Sequence, residues 1–187
     1  MLSVIIATDE SERPLVSTLA ALVPGATAGA IREVIVADKG SHDQTAEVAD
    51  AAGCRVLVTP AALAGRLRAA AAVARGSWLM FLRPGTAPDV TWIAECMRFV
   101  EQAELSGEPD AQAAVFSPAP TPLAALAAMR ALFRRRPGPD RGLLIAKRLY
   151  DSLSGHRDGM ADCETDLLRR LGRRRIIVLR SGAMIVD

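Results

Sequence analysis

A three-layer α/β domain, with a mainly parallel sheet between two sets of helices, is what this 187-residue sequence predicts. Short apolar runs rich in β-branched residues alternate with segments of helical periodicity through the first hundred residues. The run Trp78-Leu79-Met80-Phe81-Leu82 is apolar throughout, as a central strand covered on both faces is. The helical segments between the runs are long enough to carry crossovers between parallel strands.

Residues 2–8 form the first strand pattern, bounded by Asp9-Glu10-Ser11-Glu12. Leu15, Leu19 and Leu22 then recur at helical spacing, and Pro24-Gly25 is expected to end that helix. Ile31 to Ala37 reads as a second strand, ending at Asp38. Ser41 followed by Gln44 has the spacing of a capping box, and Gly53 suits the position just past the helix it would open. Cys54 to Thr59 is a third strand, and Leu63 to about Ala74 an Ala-rich helix. After the strand at 77–82, Pro88 is expected in a first helical turn, with Ile93, Cys96, Met97 and Val100 on the buried face. Residues 104–112 read as a surface loop and Ala113 to Ser117 as a fifth strand. Thr121-Pro122 caps a helix reaching Phe133, and Arg134 to Arg141 is a basic, turn-rich connection. A strand from Gly142 to Lys147, a short helix at Leu149 to Leu153, a helix from Glu164 to Leu171 and a strand from Ile176 to Leu179 complete the chain. There is no internal repeat, and residues 1–187 are read as one domain.

Half of the residues are apolar, enough for a full core, while aromatics make up only 4%, so Ala, Leu, Val and Ile do most of the packing. Lys and Arg number 23 against 21 Asp and Glu, a balance that argues against a dedicated nucleic-acid binder. Cys54, Cys96 and Cys163 are far apart and follow no metal-ligand spacing. A reducing, cytoplasmic setting is expected. No window of about 18 apolar residues suggests an integral membrane segment. Neither His42 nor His156 belongs to a triad or a ligand set, and a surface position is expected for both.

In such sheets ligands collect beyond the carboxyl ends of the strands. Thr8-Asp9-Glu10, Asp38-Lys39-Gly40-Ser41 and Arg83-Pro84-Gly85 all follow strands and should share that edge. Asp38 could accept a hydrogen bond from a base imide N–H, and Gly40 and Ser41 offer backbone donors for an anion. Asp9 and Glu10 read equally as nucleotide contacts or as charges stabilised at a helix start.

Three segments resemble the nucleotide-sugar half of family-2 glycosyltransferases, which have a GT-A fold of Rossmann-like topology. Ser3 to Thr8 is similar to their opening strand, and Val34 to Thr45 to their Val-Val-Asp-x-Gly-Ser-x-Asp-x-Thr motif. Arg68 to Leu82 resembles the helix and strand before their Asp-x-Asp, with Arg68 where the family often has Asn and Ala70 where it has Gly. The similarity continues weakly in Asp140 to Ile145. It returns at Cys163-Glu164-Thr165-Asp166-Leu167, which resembles an acidic helix start where the family places its base.

The resemblance implies a nucleotide diphosphate sugar as donor and transfer, with inversion, to the hydroxyl of an acceptor that the sequence does not identify. Thr8, Asp9, Glu10, Asp38, Gly40, Ser41, Arg68 and Arg83 would contact the donor. Glu164 would be the general base, with Asp166 as its substitute. It breaks at the metal ligands: Arg83 and Gly85 stand where the two aspartates belong. The expectation is therefore transfer without an Asp-x-Asp-bound divalent metal, Arg83 facing the diphosphate. The alternative is a non-catalytic domain that has lost the metal site and keeps the fold to bind a nucleotide or a partner.

Overall fold

A computed structural model describes residues 1–108, 110–118 and 138–186. The helix expected at 121–133 and the arginines at 134–136 lie outside these residues. The described elements are β1 (Leu2–Thr8), α1 (Glu12–Thr27), β2 (Ile31–Asp38), α2 (Thr45–Ala51), β3 (Arg55–Val58), α3 (Leu63–Val73), β4 (Trp78–Leu82), β5 (Thr86–Pro88), α4 (Trp92–Leu105) and β6 (Ala113–Pro118). A 3₁₀ turn at Pro139–Arg141, β7 (Leu143–Ala146), α5 (Lys147–Ser152), α6 (Cys163–Leu171), a second 3₁₀ turn at Arg173–Arg175 and β8 (Ile176–Ile185) follow.

One sheet runs in the order β3-β2-β1-β4-β7-β6-β8-β5. The first four strands are parallel, and β7 joins β4 antiparallel, Phe81 opposite Leu143. All five residues of β4 are buried, so both of its faces are covered, as its unbroken apolar run requires. β3, at the edge, has half-buried Val56 and Leu57 between exposed Arg55 and Val58. Leu15, Leu19 and Leu22 of α1 and Leu67, Ala70 and Ala71 of α3 are buried in the core. Trp78 meets Phe99 of α4 edge-on, ring centroids 5.6 Å apart.

Four details depart from the sequence reading, each for a local reason. Pro24 does not end α1; the helix carries it and closes at Thr27. In the turn loosened by Pro24, the Trp92 indole N–H donates to the Ala21 carbonyl, 3.2 Å. The indole passes so close to Gly25 that a Cβ there would come within 2.4 Å of it. Pro88 lies in the short edge strand β5 opposite Ala183, where a missing N–H costs nothing, and α4 begins at Trp92. Ser41 opens no helix: α2 starts at Thr45, with Asp43 accepting the Thr45 N–H at 3.0 Å. β8 runs six residues beyond the expected end, because the Asp89 carboxylate accepts from Ser181 Oγ and the Gly182 N–H.

His156 also reverses its expectation: it is 1% exposed. Its Nδ1 shares a hydrogen bond with the Tyr150 hydroxyl, 2.9 Å, and its ring lies edge-on to Phe81, centroids 5.0 Å apart. Burial, and then the nearby Arg170 and Arg68 cations, push the imidazole down to about 4. The unfolded chain therefore takes up a proton near pH 6.5 that the folded chain resists until about 4. Stability present at neutral pH is expected to fall as pH drops through that window, by up to about 3 kcal/mol. Urea unfolding from pH 7.5 to 4.5 checks this; in His156→Phe that part of the slope is expected to vanish.

Candidate functional site

The register sets the site. Thr8 lies opposite Asp38, and Leu82 opposite Ile6, so the ends of β1, β2 and β4 reach one edge with Thr8 between Asp38 and Arg83. Asp38 and Arg83 thus belong to the same rim.

Asp38 is 1% exposed, and its carboxylate is fully occupied. Oδ1 accepts from Thr8 Oγ1 and Ser41 Oγ, both at 2.7 Å; Oδ2 accepts from the Gly40 and Ser41 N–H groups at 2.8 and 2.7 Å. The backbone donors expected to face an anion are turned inward onto Asp38. Burial pushes this carboxyl up, but the bonds from Ser41, Thr8 and Gly40 outweigh it and hold it below the ordinary range.

The loops after β1 and β2 are stitched together. Glu10, in the left-handed region at φ 49°, accepts from the His42 and Asp43 N–H groups at 2.8 and 3.1 Å and donates its own N–H to Ser41 Oγ. Asp9 pairs with Lys39 at 2.7 Å, both half exposed. Asp43 accepts the Glu12 N–H at 3.1 Å, so one carboxylate serves the starts of both α1 and α2.

Sequence reasoning missed Arg66. It is 5% exposed, and its Nη1 donates to the carbonyls of Thr8 and Ala37, pinning the ends of β1 and β2. Its Nε has no partner among the described residues. The signal was available: Arg66 follows Leu63 by three and precedes Ala70 by four, which places it on the apolar face of α3. Arg68 points elsewhere. Its guanidinium holds the His156 carbonyl at 2.6 Å and the Asp158 carboxylate, so it ties α3 to the loop before α6.

Two cavities meet at Arg83. The first, about 340 Å³, is lined by Asp9, Ser11, Pro14, Leu63, Leu67, Phe81, Arg83 and Glu164. The second, about 360 Å³, lies between the start of α3 and residues 157–163, with Arg83, Arg157, Asp158, Asp162 and Cys163 among its walls.

The Asp162 side chain caps α6 by accepting from the Glu164 and Thr165 N–H groups, which sets Glu164 in the first helical turn and aims it at the first cavity. Arg83 Nε donates to Glu164 Oε2 at 2.9 Å and Nη2 donates to the same oxygen. Burial pushes the Glu164 carboxyl up; Arg83 pulls it down, Asp162 and Asp140 push it up, and it stays above the ordinary range. Asp166 lines neither cavity. It is held by Arg169 and Arg170 of its own helix at 2.9 and 2.8 Å.

Among the described residues no group of three His, Cys, Asp or Glu side chains could hold a metal ion. At Gly85 a side chain has no room. Its φ is +86°, a Cβ would sit 2.7 Å from the Val186 carbonyl oxygen, and its N–H and C=O are bonded to Pro14 and Val186. The residues at the end of β4 do not fit a carboxylate-held cation.

The model of the family described as glycosyl transferase family 2 matches residues 3–112. Glucosyl-3-phosphoglycerate synthase from Mycobacterium tuberculosis, solved with Mn2+, UDP and glucosyl-3-phosphoglycerate, superposes with a TM-score of 0.67 at 19% identity, covering 100% of this chain and 72% of that one. The same synthase with Mg2+ and UDP gives a TM-score of 0.70. S. aureus TarS 1-349 in complex with UDP gives 0.69 at 14% identity, covering 95% of this chain and 57% of that one. No curated protein matches in sequence. The fold is thus of the GT-A kind, an α/β sheet shared with nucleotide-sugar transferases.

Proposed function

The chain belongs to glycosyl transferase family 2, and from that premise we infer that it passes a sugar from a nucleotide diphosphate sugar to an acceptor hydroxyl without a metal held by Asp-x-Asp. The observation that carries the reading is a mostly buried carboxylate, Glu164, that accepts two hydrogen bonds from a guanidinium, Arg83, in a cavity at the carboxyl ends of β1 and β4. In open α/β sheets ligands gather beyond the carboxyl ends of the strands, which supports placing the donor there.

The chemistry follows from the residues. Glu164 takes the proton from the acceptor hydroxyl as its oxygen attacks the anomeric carbon. The bond from that carbon to the diphosphate breaks, and charge grows on the leaving phosphate. Arg83, kept charged by its ion pair, offers the planar donors that match phosphate oxygens. Asp38 shapes the loop that meets the nucleoside; a base N–H could bond to it only if one of its four present donors yielded. Arg66, Thr8, Glu10 and Ser41 hold that loop, while Asp9, half exposed in its pair with Lys39 and on the wall of the first cavity, is placed to meet the donor. One sheet joins both halves of the chain, which supports reading residues 1–187 as a single domain. Three free cysteines fit a reducing cytoplasm. No helix among the described residues is long and apolar enough to cross a membrane. The non-catalytic alternative is not favoured by family membership.

Calorimetry with UDP and GDP, with and without Mn2+, tests the donor site. Binding that needs no metal and weakens roughly 10- to 100-fold in Arg83→Ala is expected, the loss of a charge-assisted pair. Binding that appears only with Mn2+ would overturn the metal-free reading. The double variant Arg83→Asp/Gly85→Asp is expected to melt earlier and to gain no Mn2+-dependent nucleotide affinity, because position 85 cannot accept a side chain without displacing Val186.

A further inference from the structure

We infer that Arg83 also controls the base: in the empty site its guanidinium occupies Glu164, and the donor's diphosphate draws it away and frees the carboxylate. The inference rests on the sugar-transfer reading of this cleft. Both Arg83 donors converge on one oxygen of Glu164. The two partners are unequally held. The Arg83 side chain is 44% exposed on a flexible stem, whereas Glu164 is 13% exposed on a capped helix, so the cation is the part that moves. Arg83 lines both cavities and so stands between the two spaces a donor and an acceptor would need.

The surroundings make the release consequential. Among the described residues no other cation lies within ion-pair distance of Glu164. The groups that face it are Arg83 from the turn after β4, Asp162 and Cys163 from the start of α6, and Asp140 from the 3₁₀ turn before β7. With Arg83 gone, a mostly buried carboxylate remains beside two acidic groups, and its affinity for a proton rises. A diphosphate carries more charge than one carboxylate and competes well for the guanidinium. The base is therefore blocked while the site is empty and competent once a donor arrives, which orders the events: donor first, proton abstraction second.

The test is nucleotide binding to wild type, E164Q, R83A and the double variant, using UDP or GDP, whichever the wild type binds, and the matching nucleoside. Glu164→Gln removes the competitor for Arg83, so the diphosphate is expected to bind roughly three- to tenfold more tightly. Nucleoside affinity stays the same, which also shows that the variant is folded. In the R83A background the same change has no effect. Calorimetry near pH 6 in two buffers of different ionisation heat should show proton uptake in wild type beyond that of E164Q. Unchanged or weaker diphosphate binding by E164Q overturns the control of the base and leaves the sugar-transfer reading standing. A wild type that binds neither diphosphate overturns both.

Discussion

Replacing Glu164 with glutamine is expected to cut sugar transfer by roughly 10²- to 10⁴-fold while the donor stays bound. The amide keeps the size of the carboxylate but cannot take a proton, so what is lost is proton abstraction, not the cavity. Initial rates against pH sharpen the result. The wild-type rate should fall as pH drops and Glu164 protonates, with its midpoint above the ordinary carboxylate value of 4.5, because burial and the acidic neighbours favour the neutral form. The variant's residual rate should not follow that limb. Asp166→Asn is the control: that carboxylate serves Arg169 and Arg170 outside both cavities, so stability should drop and turnover per folded molecule hold. Turnover unchanged in Glu164→Gln would remove Glu164 from the role.

Asp38→Ala is expected to be the most damaging change at the rim, at about 2–4 kcal/mol in urea unfolding. Four donors lose their acceptor together, and two are backbone N–H groups of a tight turn. Asp38→Asn should cost about 1 kcal/mol. Its amide oxygen can keep the Gly40 and Ser41 N–H groups, while its NH₂ faces two hydroxyls that can turn to accept. Because the folded pKa lies below the unfolded one, the wild-type contribution is present above the unfolded value near 3.8 and lost as pH falls through the folded one. Equal losses in both variants would show that the carboxylate geometry is not what holds the turn.

The strands were readable because burial on both faces leaves a plain mark: β1, β4 and β7 are almost wholly apolar and buried, and β2 is so over its second half. The rim after them was readable only in part. Asp38, Arg83 and Glu164 follow strands or start a helix, so their positions came from local pattern. Their distant partners did not, because Thr8 on Asp38, Asp43 on Glu12 and Arg83 on Glu164 join residues whose pairing is set by strand register and helix docking. His156 was placed at the surface because a lone histidine in a polar loop gives no sign of burial; Tyr150 and Phe81 provide it from other elements. β5 left no mark, since three residues with a proline have no period.

The turn carrying Arg83 is anchored from two distant places, with Gly85 donating to Pro14 in α1 and accepting from Val186 just beyond β8. The position of the phosphate-facing cation is therefore governed by residues about a hundred positions downstream. Deleting everything after Ser181 would spare every residue assigned a chemical task and still release one hold on that turn. Such a shortened protein should keep its nucleoside affinity and lose discrimination in favour of the diphosphate.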